Sequence, residues 1–336
     1  MDPISQGAAG AILPQAFASV EKTRVYVLLG ALAGMAPDLD VLIRSSNDPL
    51  LFLEYHRQFT HALLFVPIGA GICAIGLFGF VRHRLSLIEV YVVCFMGYLT
   101  HGLLDACTSY GTQLFWPFST ARIAWNNVSV IDPLFTVPLV TLLIVGTVRK
   151  QRIFAIAGLF WAIFYLIIGV VQRERVMDAA EAMAVTRGYE VEGLDVKPAF
   201  ANLLLWKVVY DSGERFFVDS IRAGVSTQIC EGESVSKLNV LRDLPWLETS
   251  SQQYRDLERF RWFSNDFLAL DSANDNFVID IRYSTLPNRI DALWGVQLNP
   301  NAADNNHAEF RVMQSRRSQA LPELWQMILG NGCRSE

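Results

Sequence analysis

Seven side chains define the chemistry open to this chain: Asp38, Asp40, His56, His61, His101, Asp105 and Asp132. All but His56 fall inside apolar segments, and His56 stands just before one. Ionisable groups are expensive in hydrocarbon, so those that persist there are functional by default. Imidazole and carboxylate together suit zinc first, then manganese or iron. His101 and Asp105 are four apart, so on a helix both leave one face and can reach one ion. His56 and His61 are five apart, which fits one donor in a loop and one at a helix start, with Thr60 as its N-cap. Asp38 and Asp40 cannot share a helical face. Pro37 disfavours continued helix, so Pro37-Asp38-Leu39-Asp40 reads as a local break lining a polar cavity, where irregular backbone is tolerated at membrane depth. Asp38 and Asp132 are the candidate general bases where they are not ligands. Asp132, before Pro133, also reads as a helix start. His83, between Arg82 and Arg84, reads as an interfacial anchor, and His307 as a solvated loop residue.

Five apolar stretches must position these groups, at 24–43, 60–81, 85–106, 132–148 and 153–171. Each approaches the ~20 residues that span a bilayer. Asp38 lies 16 residues from Lys22, His61 21 from Arg82, His101 17 from Arg84 and Asp132 17 from Arg149. At ~1.5 Å per helical residue these are climbs of roughly 24 to 32 Å, so four segments carry candidate donors to one height. Lys22, Arg24, Arg82, Arg84, Arg149, Lys150 and Arg152 fall on one side, against Arg44, Arg57 and Arg122 on the other, with Arg173 and Arg175 after the fifth stretch. The positive-inside rule places the first set, and the N-terminus, in the cytoplasm. Residues 1–21 lack a basic start followed by an apolar core, so no cleavable signal peptide is expected. Five crossings then put the C-terminal part outside, in the periplasm of a Gram-negative cell.

Composition agrees with a membrane protein. The 336 residues are 52% hydrophobic and 18% charged, with a mean hydropathy of +0.27, against about 25% charged in ordinary soluble chains. This excludes disorder and a small secreted scaffold. A net charge of −5 gives no basic field for nucleic acid. Residues 1–172 hold 9 acidic and 10 basic side chains, leaving 24 and 18 of the chain's 33 and 28 for the rest. The expected organisation is therefore a multi-pass α-helical membrane bundle over 1–172 and a small soluble α+β domain over 173–336. In the second part, 174–188 reads as a helix leaving the membrane. Strand-like runs follow at 203–210, 215–221, 276–283, 293–298 and 309–313, with helices at 254–265 and 322–329 and a hairpin turn at Asp211-Ser212-Gly213-Glu214. The sheet should be antiparallel. This part shows no nucleophile motif, phosphate loop or ligand cluster, and reads as a lid, docking or delivery module. Of five cysteines none forms a C-x-x-C pair; Cys230 and Cys333 can pair only outside the cytoplasm. The loop at 108–130 carries Trp116, Phe118 and Trp125, an interfacial aromatic belt or a roof over a site.

The chain resembles the bacterial inner-membrane metal-dependent hydrolase family (YdjM-like). The resemblance rests on Gly34-Met35-Ala36-Pro37-Asp38-Leu39-Asp40, His56-Arg57-Gln58-Phe59-Thr60-His61-Ala62 and Gly97-Tyr98-Leu99-Thr100-His101-Gly102-Leu103-Leu104-Asp105. Thr108, Gly111 and Leu114-Phe115-Trp116-Pro117-Phe118-Ser119 extend it. It covers roughly 25–172, and Lys197-Pro198-Ala199-Phe200-Ala201-Asn202 resembles the start of the family's C-terminal extension. It implies a metal-dependent hydrolase with Asp38, Asp40, His56, His61, His101 and Asp105 as ligands. The expected function is hydrolysis of a phosphoester or ester in a membrane lipid or other amphiphile, with a divalent metal, zinc first, at the outer face of the inner membrane. An ion or proton relay, and a non-catalytic membrane sensor or scaffold, are the alternatives. The oligomeric state is left open.

Overall fold

Two units emerge from the computed structural model, which describes residues 1–313, 317–331 and 333–335. The first holds Met1–Leu42, Tyr55–Val171 and Phe200–Asn202; the second holds Ile43–Glu54, Gln172–Ala199 and Leu203–Glu336. In chain order the first helices are α1 (Pro3–Phe17), α2 (Thr23–Met35), the short α3 (Leu51–Tyr55), α4 (Val66–Val81), α5 (Leu87–Ala106), α6 (Pro133–Arg149) and α7 (Arg152–Arg187). Among the described residues, Thr23–Leu42, Leu63–Val81, Leu87–Ala106 and Arg152–Arg187 are long and apolar enough to cross a membrane; α6, with 17 residues, is apolar but shorter. α2 runs into a 3-10 turn at Ala36–Leu42, where Pro37 and the two aspartates interrupt the apolar run.

Helix α1 has no counterpart in the sequence expectations. Asp2 caps it by accepting from the backbone N–H of Ile4 and Ser5, and Pro3 opens it. Its buried residues are mostly small or polar, Ser5, Gln6, Gly7, Ala8, Gly10, Ala11 and Gln15, with Ile12 and Pro14 beside them, a mixture that carries little apolar signal. Glycines let it approach closely. A Cβ on Gly10 would lie 2.6 Å from the Gly30 carbonyl oxygen, and one on Gly97 would lie 2.5 Å from the same oxygen. α1, α2 and α5 therefore meet backbone to backbone, the packing that small residues permit between membrane helices. α4 closes the other side of α5 through Ala70, Ala74, Val90, Val93 and Cys94. The segment expected to begin as a helix at Thr60 instead makes two 3-10 turns, Phe59–His61 and Leu63–Phe65, before α4 starts at Val66. Thr60 caps no helix.

The second unit contains strands β1 (Gly193–Pro198), β2 (Leu205–Asp211), β3 (Arg215–Ala223), β4 (Thr227–Ser236), β5 (Leu268–Asp271), β6 (Asn274–Asp280), β7 (Trp294–Gln297), β8 (Glu309–Val312) and β9 (Arg334–Ser335). They form two antiparallel sheets, ordered β1-β2-β3-β4-β9 and β5-β6-β7-β8. The β2–β3 hairpin turns as expected. Gly213 adopts φ 72°, Asp211 Oδ1 accepts from its N–H at 3.1 Å, and Asp211 pairs with Phe216. Val209, Phe216 and Val218 of the first sheet share a core with Ala269, Phe277 and Ile279 of the second. β1, which ends in a proline, and β4, whose Glu231, Gly232, Glu233 and Ser234 are exposed, gave no clear strand pattern. The remaining helices are α8 (Val240–Asp243), α9 (Gln252–Phe263), capped by Ser251, and α10 (Arg317–Leu329). Leu324 and Met327 of α10 pack on Leu205 and Cys230, and a Cys230–Cys333 disulfide ties positions 103 residues apart.

Residues 43–54 also fold with this unit. Arg259 of α9 bonds Asp48 through Nη1 and Nη2, both at 2.9 Å, and Glu54 through Nε at 2.5 Å. Phe52 meets Phe310 edge-on, with centroids 5.0 Å apart. His307 is not a solvated loop residue: its Nδ1 lies 2.9 Å from Asp256 Oδ2, because that fully buried carboxylate needs partners.

Candidate metal centre

Three local structures supply the donors. The 3-10 turn Ala36–Leu42 presents Asp38 and Asp40, the turn Phe59–His61 presents His61, and the C-terminal half of α5 presents His101 and Asp105. Gly102 admits the His61 segment, since a Cβ there would lie 2.3 Å from the His61 carbonyl oxygen. Asp38, His61, His101 and Asp105 form one group with mutually close donor atoms. His61 Nε2 lies 2.9 Å from His101 Nε2, 3.5 Å from Asp38 Oδ1 and 3.2 Å from Asp105 Oδ2. His101 Nε2 lies 3.4 Å from Asp38 Oδ1 and 3.6 Å from Asp105 Oδ2. Tetrahedral ligands about 2.0–2.1 Å from an ion stand about 3.3 Å apart, so this donor set fits a zinc-sized ion.

The ring tautomers support the fit. His101 Nδ1 is 2.6 Å from the Gly34 carbonyl oxygen, an obligate acceptor. His61 Nδ1 is 3.2 Å from Asp40 Oδ2 and 3.0 Å from Thr60 Oγ1, whose own proton goes to Asp40 Oδ2 at 2.7 Å. Both Nδ1 atoms are therefore engaged as donors, which turns both Nε2 atoms inward, 2.9 Å apart and within reach of the Asp38 and Asp105 carboxylates. An ion held there would take the place of any Nε2 hydrogen.

Asp40 and His56 stand behind this group rather than in it. Asp40 Oδ1 is 2.7 Å from His56 Nδ1, and its Oδ2 accepts from the Arg57 backbone N–H at 3.0 Å. A carboxylate behind a ligating imidazole fixes its orientation and raises its basicity. Three further residues were not singled out from the sequence. Arg57, at φ 63°, sets Nε 3.1 Å from Asp105 Oδ2 and donates from Nη1 to Thr108 Oγ1 at 3.0 Å. Its signal was its place beside His56. Gln6 donates to Asp105 Oδ1 at 2.8 Å, and its buried Oε1 has no hydrogen-bond partner among the described residues. The Met1 amine also donates to Asp105 Oδ1. Nothing in the sequence tied α1 to the site. Of the four donors only Asp38 is accessible, its side chain 25% exposed against 0% for the others.

Asp132 lies apart. Its Oδ1 accepts from the N–H groups of Leu134 and Phe135 at the start of α6, and Tyr165 bonds both oxygens at 2.9 Å. Phe115, Phe118 and Trp125 of the 108–130 loop are exposed, and Trp116 is half-buried. A second group, Asp48, Asp256 and His307, also brings donors within 4.8 Å of one another, contrary to the expectation of no ligand cluster in the C-terminal part. Asp48 comes from far away in sequence, and Arg259, 3.0 Å from Asp256 Oδ1, already supplies a cation there.

The family described as YdjM inner membrane protein matches residues 1–176, more than half of the chain. The Bacillus subtilis (strain 168) protein YfhP, itself described as uncharacterized, is 22% identical over 194 residues, 57% of this chain and 58% of that protein. The chain thus spans less than two thirds of that relative's length. No solved structure matches.

Proposed function

The chain belongs to the YdjM inner membrane protein family, and from that premise we propose that it is a membrane-embedded metal-dependent hydrolase acting on a phosphoester or ester of a lipid or other amphiphile. The convergence of Asp38, His61, His101 and Asp105, with both Nε2 atoms turned inward and 2.9 Å apart, carries the reading. Held there, a divalent ion, zinc first and manganese or iron after it, supplies a Lewis acid and an activated water.

The chain's own residues do the rest. Asp40 and the Gly34 carbonyl lock the two imidazoles with Nε2 inward. Arg57 offsets the charge of buried Asp105. Asp38, the accessible donor, would act as general base. Asp132, engaged by Tyr165 and the α6 N-terminus, has no part in this reading. The site opens at the outer face, and the C-terminal unit lies in the periplasm. The distribution of basic residues supports this, as does a disulfide that an oxidising compartment preserves. Exposed Phe118 and Trp125 suit the headgroup level, which favours an amphiphilic substrate.

One observation favours a second reading. Four protein donors match a closed structural site, whereas catalytic zinc keeps an open position; a non-catalytic sensor or scaffold would need no more. Metal analysis of detergent-purified wild type, His101→Ala and Asp38→Ala separates the readings. The hydrolase reading expects metal in wild type and Asp38→Ala, none in His101→Ala, and turnover of phosphodiester or ester lipids by wild type alone. Bound metal with no turnover on either lipid class favours the scaffold. Wild type that takes up no metal on reconstitution sinks both.

A further inference from the structure

The chain leaves the first unit after Leu42 and returns at Tyr55, and the twelve residues between fold with the second unit. That stretch is bounded by the site on both sides. Asp38 and Asp40 lie just before it, and His56 and His61 just after. Its grip is ionic and specific. Arg259 spends all three nitrogens on it or on its own helix: Nε on Glu54, Nη1 and Nη2 on the two oxygens of Asp48, and Nη1 also on Asp256. A bidentate guanidinium–carboxylate pair fixes direction as well as distance, which a lysine does not. Phe52 against Phe310 adds an apolar anchor. Glu54 is two residues from His56, so the clamp acts on backbone directly continuous with the Asp40–His56–His61 arrangement.

We infer that residues 43–54 are a tether through which the C-terminal unit sets the placement of the donors around the site, with Arg259 as the positioning residue. This rests on the metal reading for its consequence but not for its mechanical part, so two readouts test it on the full-length chain in detergent. The first is amide hydrogen exchange over residues 55–61 without added metal, in wild type, Arg259→Ala and Arg259→Lys. The second is cobalt(II) release and the visible cobalt spectrum in the same three proteins. The tether predicts faster exchange at 55–61 in Arg259→Ala. It also predicts cobalt release about tenfold faster, the size typical of losing an outer support of a metal ligand, with a shifted spectrum and partial recovery of both in Arg259→Lys. Exchange that quickens only over 43–54, leaving 55–61 and the cobalt signals at wild-type values, overturns it. A wild type that takes up no cobalt overturns the metal reading instead, and the exchange measurement still decides the tether. Circular dichroism and an intact Cys230–Cys333 bond in each variant exclude misfolding as the cause.

Discussion

Buried carboxylates meet different company in the two units. In the C-terminal unit Asp280 is bonded by Arg282 through Nε at 2.9 Å and Nη2 at 2.7 Å, and Asp256 is bonded by Arg259. Each carboxylate there has a protein cation at hydrogen-bond distance. In the membrane unit Asp38 faces two imidazole nitrogens instead, and Asp105, although Arg57 and the Met1 amine stand beside it, turns Oδ2 toward the same two nitrogens. Leaving buried charges short of a counterion is costly. The contrast teaches that the C-terminal unit pairs its buried carboxylates with arginines that hold shape, while the membrane unit turns two carboxylates and two imidazoles toward one point, an arrangement that could hold a cation.

The largest expected effect breaks this comparison outright. His101→Ala should remove bound metal altogether, measured as metal equivalents per chain; retention of a full equivalent would place the ion elsewhere. Next, Arg282→Ala should destabilise by about 3–5 kcal/mol, because it strands Asp280 in the core. Urea unfolding followed by tryptophan fluorescence reads this, and an unchanged midpoint would deny the C-terminal cations their structural role. Asp40→Asn should weaken metal binding by about 10–100-fold while keeping the stoichiometry, since the carboxylate acts through His61; competition with a chelator measures it, and total loss would make Asp40 a direct ligand. The smallest effect concerns Lys207, whose Nζ donates to Ser284 Oγ and the Arg289 carbonyl, both at 2.7 Å. Burial, aided by nearby Lys197, pulls its pKa down to about 7. The unfolded chain holds this proton up to about 10.4, so between these values the unfolded state binds more protons and stability rises with pH. Wild type should therefore melt higher at pH 9 than at pH 7, and Lys207→Met should flatten that slope.

What the sequence disclosed follows from the range of each interaction. His101 and Asp105 share a face because helical spacing dictates it, and Pro37 marked the irregular turn that carries Asp38. The change in charge density near residue 172 lies where the second unit resumes at Gln172, while the placement of 43–54 and 200–202 left no mark in composition. The division of labour around His61 was not. Asp40, His56 and Thr60 form one hydrogen-bonded set across a sequence separation of 16 to 20 residues, which no local pattern encodes. α1 was illegible for a different reason: its burial rests on glycines and on Gln6, whose value appears only against α2 and α5. The C-terminal ion cluster draws on Asp48, Asp256 and His307, too distant in sequence for spacing to unite. β4 escaped because Glu231 to Ser234 are too polar to alternate cleanly, and β1 because Asp195, buried Lys197 and Pro198 interrupt its apolar positions.

The backbone crossing of α1, α2 and α5 has a further consequence. Where helices touch through glycine, no side-chain rotamer can take up slack, and the Gly34 carbonyl that steers His101 belongs to that contact. A metal cage with such a wall would have a fixed aperture. Cations of large radius and high coordination number, calcium above all, need longer bonds and more oxygens than it offers, so selectivity among ions would come from the stiffness of a helix crossing as much as from the identity of the ligands.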